Sequence, residues 1–485
     1  MITIRQTGYE CEREMRLFSR LFFLDSEDVT IDNQFVFENG RVHSDTSVHF
    51  EGKEYHGSDE LAIDRPVTDE RMRKKIATSS CVKSFCHAAQ KIRDVPLPWG
   101  VMSGIRPAKV VRQFLDMGMA PDEVKTALGI LYETKEEKLD LAIDVALREK
   151  EILSTLQPDS VSIYIGIPFC PTRCLYCSFV STDIRVSGKY MDDYVRLLLE
   201  EIKKTGQIMR KMGVFPETIY IGGGTPTTLS ADQLRAVLDA VHEHFDLSHL
   251  DEFTLEAGRP DTITREKMAA AIKGGVDRVS INPQTMNQET LDKIGRAHTP
   301  EEIKTAFSIA REAGFGTINM DLIAGLPDET PAMFESSMEE VISLEPENIT
   351  VHTMCVKRAA ALRFSDIVLT GAKDAETMLS YTQKRMKEEG YFPYYMYRQK
   401  NMVGNLENVG YAKQGHISRY NVNIMEEVQT ILALGGGAST KLVMGDRIER
   451  IFNFKDPCEY IRRFDEILKR KDDVLDIWAE RKNNV

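Results

Sequence analysis

From residue 160 onward the chain alternates two kinds of stretch. Short apolar runs lie at 161–167, 217–222, 252–256, 277–282, 317–323 and 348–353. Each is followed by a longer stretch with apolar residues at helical spacing, at 188–212, 231–245, 264–273, 287–313, 331–343 and 374–389. Apolar runs that short read as buried strands, and the longer amphipathic stretches read as helices. Strand–helix units in series predict an α/β fold with a parallel sheet and helices outside it. Six of them suit a partial (β/α)6 barrel. The flanks follow other rules. Residues 11–23 carry apolar positions at helical spacing, 29–37 and 41–50 alternate about Asn39-Gly40 as a hairpin would, and 67–92 reads as a helix. Pro96 to Gly100 breaks that pattern, and Ile105-Arg106-Pro107 opens a run of helices to residue 155. Residues 391–400 are dense in tyrosine and alternate like a strand. The expected organisation is an α/β N-terminal extension over 1–155, a core over 156–355, and a smaller C-terminal α+β region over 356–485 that binds or caps a substrate.

Composition narrows the setting. At 485 residues the chain has length for two or three domains. No run approaches the 18 or so apolar residues of a membrane span, and the first residues contain no sustained apolar segment of a secretory leader. A cytoplasmic protein with reduced thiols is expected. The formal charge of −13 argues against general nucleic-acid affinity. A local basic surface from Lys74, Lys75, Arg106, Lys109 and Arg112 is the exception to test, against solvated helix faces.

The chemistry collects where strands finish, which is where loops of a parallel sheet converge on one mouth. After the first run come Cys170, Cys174 and Cys177 at C-x3-C-x2-C spacing. Three thiolates so close can hold three irons of a [4Fe-4S] cube and leave the fourth iron open to a small molecule. Zinc would want a fourth ligand at similar local spacing, which the segment does not offer, and buried core cysteines are the other alternative. Cys81, Cys86 and His87 supply too few ligands and read as ordinary helix residues. Gly222-Gly223-Gly224-Thr225 follows the second run, Glu256 ends the third, Gln284 follows the fourth, and Asp321 lies at the end of the fifth. Glycines after a strand let a ligand approach the backbone. A carboxylate at the end of an apolar strand needs a polar partner.

The cysteine spacing resembles the radical S-adenosylmethionine (SAM) superfamily. The wider string Y-x-x-I-P-F-C-x-x-x-C-x-Y-C-x-F, Tyr164 to Phe179, is similar to the oxygen-independent coproporphyrinogen III dehydrogenase family and its haem-chaperone relatives. The strings M-x-G-N-L-E-N-V-G-Y-A (402–412) and I-M-E-E-x-x-T-I (424–431) resemble the HemZ-like branch. The resemblance implies the radical-SAM partial barrel, a [4Fe-4S] cluster on the three cysteines, and SAM bound by Tyr164, Tyr176, Gly223, Gly224, Thr225, Glu256, Gln284, Arg296 and Asp321. It places Glu256 on the ribose and Arg296 on the SAM carboxylate. It implies oxidative decarboxylation of two propionates of coproporphyrinogen III to vinyls, with flavodoxin or ferredoxin as electron donor. A haem-binding carrier, and a radical SAM enzyme acting on RNA or another small molecule, are the alternatives. Lys357, Arg358, Arg398, Lys400, Lys413 and Arg419 are candidate cations for substrate propionates. The chain departs from the pattern twice. Phe179 stands where the dehydrogenases carry a further cysteine, and Gly166 where many relatives carry a histidine.

Overall fold

A computed structural model describes residues 1–62, 69–179, 181–355, 370–399, 402–445 and 447–483. The chain divides into two compact units. The first comprises Met1–Leu147 with Gly371–Glu376 and Met396–Glu407; the second is Arg148–Thr370, Thr377–Tyr395 and Asn408–Val485.

The first unit is built on a four-stranded sheet. Strands β1 (Ile2–Thr7), β2 (Val29–Glu38), β3 (Arg41–Phe50) and β4 (Lys53–Ala62) lie in chain order. The hairpin expected about Asn39-Gly40 is present, with Glu38 facing Arg41 and both turn residues at positive φ, as a tight hairpin turn requires. Helix Glu70–Ala89 covers this sheet. Gly57 permits the contact, because a Cβ there would stand 2.2 Å from the Ser84 carbonyl oxygen. Cys81 and Cys86 are buried on this helix, and His87 bonds the Ser58 carbonyl and Glu133.

The second unit holds the main sheet. Its strands are β5 (Ser160–Ile167), β8 (Phe215–Gly223), β9 (Glu252–Glu256), β10 (Arg278–Ser280), β11 (Thr317–Ala324) and β12 (Asn348–Thr353), followed by β13 (Phe392–Tyr397), β14 (Asn408–Ala412), β15 (Ile431–Gly435), β16 (Ser439–Met444) and β17 (Arg447–Phe452). A short separate ladder joins β6 (Phe169–Cys170) to β7 (Thr182–Asp183). The order is β13-β14-β12-β11-β10-β9-β8-β5-β15-β16-β17. The six expected strands are all present, mutually parallel and in sequence order, the arrangement of a partial (β/α) barrel. A seventh parallel strand, β15, was not expected. It pairs in register with β5, Gly435 against Gly166.

Helices Met191–Met212, Ala231–His244, Arg265–Lys273 and Pro331–Ser343 match the expected stretches. The stretch 287–313 does not form one helix. It splits into Gln288–Lys293 and Pro300–Ala313, because Gly295 takes a φ of 75° and Thr299 starts a new helix with a Glu302 capping box and Pro300 at its first position. The break presents Arg296 and His298.

Register sorts the strands' side chains. Tyr164, Tyr220 and Thr254 are neighbours in one row; Glu256, Ser280, Asn319 and Asn348 form another. These positions share one face, and alternation puts Ile165, Ile221, Leu255, Val279 and Ile318 on the other, fully buried. The polar face is stoppered at the strands' amino ends by helix Arg419–Glu426. Ser418 Oγ and the Arg419 amide donate to the two oxygens of Glu252 at 2.9 and 2.6 Å. Tyr420 stacks on Tyr220 at 4.6 Å between centroids, and Tyr220 on Tyr164 at 6.3 Å. Among the described residues no helix is long and apolar enough to cross a membrane.

Candidate functional site

The three cysteines sit on one loop leaving β5. The β6–β7 ladder ties that loop back on itself, Cys170 facing Asp183. Thr225 Oγ1 lies 3.5 Å from Cys170 Sγ, and the Cys177 amide donates to the Cys174 carbonyl at 3.1 Å. The far side is held by the Leu175 amide, which donates to the Ile294 carbonyl at 3.0 Å. Burial pushes the Cys177 thiol up to about 11 and raises that of Cys170. Among the described residues no three His, Cys, Asp or Glu side chains converge for a single metal ion.

The glycine turn packs directly under this loop. A Cβ on Gly224 would meet the Phe169 carbonyl oxygen at 2.6 Å and Cys170 Sγ at 3.0 Å, and Gly223 adopts a φ of 115°. Only glycine lets the ends of β5 and β8 approach so closely. The Gly223 amide donates to Glu256 Oε2 at 3.1 Å, and Tyr220 Oη donates to Oε1 at 2.6 Å. Burial and the nearby Asp321 carboxylate push Glu256 up to about 7, against the pull of those two donors.

Next to it, Asn319 Nδ2 donates to Asp321 Oδ1 at 2.7 Å, and His352 Nε2 stands 3.6 Å from Oδ2. Gln284 is held at a φ of 71°; its amide donates to the Asp321 carbonyl and its carbonyl accepts from Ile323. That strained backbone turns its side chain off the ladder. Among the described residues Gln284 Oε1 and Asn282 Oδ1 are buried with no hydrogen-bond partner. Two buried acceptors without donors are costly unless a ligand brings the donors. Arg296 is buried and bonds the Asn282 carbonyl, with its guanidinium also reaching Cys174 and Tyr176. His298 is 1% exposed; burial, then Arg296 and Arg259, lower it to about 3, so it stays neutral.

The structure thus gathers Cys170, Cys174, Cys177, Tyr176, Gly223, Gly224, Thr225, Glu256, Gln284, Arg296 and Asp321 around the carboxyl ends of β5 and β8–β11. Tyr164 lies lower, in the tyrosine stack beneath Glu256. Sequence reasoning missed Arg259, Asn282, Tyr220 and His352. Tyr220 and His352 share the parity of Glu256 or Asp321 on their strands, and Asn282 follows that of Ser280 just past β10; that parity was the available signal. The candidate propionate cations fare differently. Lys357, Arg358 and Lys400 lie outside the described residues. Arg398 is buried within the first unit, donating to the Met102 carbonyl at 2.6 Å and lying against the Trp99 ring. Lys413 and Arg419 emerge at the opposite rim: the Lys413 amide donates to the Glu347 carbonyl, and Arg419 binds Glu217 at 2.6 Å. The reason is direction. Strand β14 runs antiparallel to β12, so whatever follows it leaves at the amino ends.

Residues 164–341 match the radical SAM superfamily. The chain is 41% identical to the oxygen-independent coproporphyrinogen-III oxidase-like protein HemZ of Bacillus subtilis (strain 168), over 80% of its own length and 79% of the relative's. It is 32% identical to heme chaperone HemW of the same organism, over 57% and 70% of the two chains. Among solved structures it resembles coproporphyrinogen III oxidase HemN from Escherichia coli, a radical SAM enzyme, with a TM-score of 0.53, 24% identity, and 66% and 72% of the two chains covered.

Proposed function

The chain belongs to the radical SAM superfamily, in the family of the HemZ-type oxygen-independent coproporphyrinogen III oxidase-like proteins, and from that premise we propose that it oxidatively decarboxylates the propionates of a coproporphyrinogen-type tetrapyrrole. The superfamily's cofactors are a [4Fe-4S] cluster and SAM. When bound they supply a one-electron cleavage that ends in removal of a hydrogen atom from the substrate.

The chain's own residues do the rest. Cys170, Cys174 and Cys177 would hold the cluster. The Gly223-Gly224-Thr225 turn gives SAM's amino group a backbone surface free of side chains. Glu256 would accept from the ribose hydroxyls, with Tyr220 and the Gly223 amide fixing its orientation. Gln284 and Asn282 would accept from the remaining donors, Asp321 would be held ready by Asn319, and Arg296 would complete the wall. The tyrosine stack and helix Arg419–Glu426 close the pocket from below and keep water from the reacting atoms. The electron would come from a flavodoxin- or ferredoxin-type carrier. The observation that carries the substrate class is the 41% identity to HemZ over four-fifths of the chain; the buried, donorless acceptors on Asn282 and Gln284 support a bound ligand in the pocket.

A second reading, a haem carrier, is favoured by the likeness to HemW. Gly166 weighs against a ligand side chain before the cysteine loop, because a Cβ there would sit 3.1 Å from the Gly436 carbonyl oxygen. Anaerobic incubation of the reconstituted chain with SAM, dithionite and coproporphyrinogen III separates the two. The enzyme gives carbon dioxide and a vinyl product by mass analysis. A chain that gives neither, and titrates with haem instead, is the carrier.

A further inference from the structure

The turn after β9 carries a buried arginine to which the site as described gives no task. Arg259 is 3% exposed. Its Nε and Nη2 donate to the two carboxylate oxygens of Asp261 at 3.0 and 3.1 Å. That fork fixes the guanidinium plane and aims Nη1 at the cysteine loop. Nη1 donates to the Thr172 carbonyl at 3.3 Å and to Thr172 Oγ1 at 3.1 Å, and stands 3.9 Å from Cys174 Sγ. Thr172 lies midway between the first two cysteines.

The ion pair is lopsided. The Asp261 side chain is 26% exposed against 4% for Arg259, so water screens the carboxylate more than the guanidinium. The guanidinium is the end of the pair that faces the thiols, with Nη1 3.9 Å from Cys174 Sγ. Hydrogen bonds to the sulfurs and local charge set the potential of an iron–sulfur cluster.

We propose that Arg259, locked by Asp261, is a positioning residue for the cluster: it braces the loop between Cys170 and Cys174 and raises the potential at which the cluster accepts its electron. This rests on the three-cysteine reading of the site. The step it favours is one electron from a low-potential carrier, the cluster losing one unit of positive charge with no bond formed or broken. The positive charge carries the shift in potential, and the fork with Asp261 fixes where that charge points.

The test is a reductive titration of the anaerobically reconstituted full chain, followed by the spin signal of the reduced cluster, with iron and sulfide content measured beside it. Arg259→Gln is expected to keep its iron and to need a potential lower by at least the equivalent of a tenfold change in the oxidised-to-reduced ratio, about 59 mV for a one-electron couple. Arg259→Lys is expected to recover most of that shift. If Arg259→Gln loses its iron, the lysine variant decides: iron retained at a near-native potential supports the proposal. An unshifted Arg259→Gln, or a lysine variant that loses its iron or shifts as far as glutamine, overturns it. A native chain that takes up no cluster overturns the site reading and this proposal together; native loading with an unshifted variant overturns this one alone.

Discussion

Glu256 makes the site sensitive to pH. Its carboxyl is pushed up to about 7 by burial and by Asp321. A ribose diol donates hydrogen bonds, so it selects the ionised carboxylate. Below pH 7 the proton must first leave, and SAM affinity should fall by up to tenfold per pH unit. Above about pH 7.5 it should level off. Equilibrium dialysis with SAM across this window checks it, and Glu256→Gln should bind weakly with a flat profile. A native profile flat from about pH 6 to 8 removes Glu256 from the SAM site. The same shift acts on stability with a definite sign. The folded value lies above that of the unfolded chain, so this group's contribution is complete below about 4.3 and is lost as pH rises through about 7. The unliganded fold should weaken across that range, and SAM should oppose the loss. Glu256 and Gln284 were legible because each stands at or just past the end of an apolar run; Asp321 lies inside β11, three residues before its end, and was legible as the one charged residue of that strand. Arg259 was not: an arginine in a turn reads as solvated, and only the fold shows it buried against Thr172.

Elements were legible where local pattern decides them and illegible where a distant partner does. The six expected strands and most helices follow from alternating runs. The split at Gly295 was written in Thr299-Pro300 and Glu302, a helix start inside an apparently continuous helical pattern. Strand β15 had no such signal: five residues, Ile431–Gly435, pair with β5 across more than half the chain. Its end explains the glycines at 435–437. Gly435 has a φ of 86°, and a Cβ there would fall 2.2 Å from the Gly166 carbonyl oxygen and 2.6 Å from Tyr194 Oη. Tyr194 Oη in turn donates to the Gly166 carbonyl and accepts from the Gly436 amide. Gly435→Ala should therefore loosen β5 just before the cysteine loop and cost roughly 2 kcal/mol or more. Urea unfolding measures the cost, and iron loading should fall with it. A variant as stable as the native chain would mean that this seam carries no load.

The whole molecule is assembled from pieces that chain order separates. Residues 396–407 belong to the first unit, far from the rest of it in sequence. Glu407 explains why. Its Oε1 pairs with Lys138 Nζ at 2.6 Å and its Oε2 accepts from Trp99 Nε1 at 2.6 Å, with Lys138 and Glu407 only 1% and 2% exposed. Arg398 adds its bond to the Met102 carbonyl. No composition shift marks this segment, so a sequence reading assigns it to the C-terminal region with its neighbours. Removing one partner of a buried pair strands the other charge and costs about 3–5 kcal/mol. Residues 1–155 expressed alone would lose Glu407 and Arg398 together. They should show no cooperative unfolding transition and should be cut rapidly by protease. The same fragment with 396–407 joined by a flexible linker should recover both properties, and Lys138→Met in that fusion should lose them again. Cooperative unfolding of the bare fragment at the midpoint of the fusion would show that Glu407 is a passenger rather than part of the first unit's core.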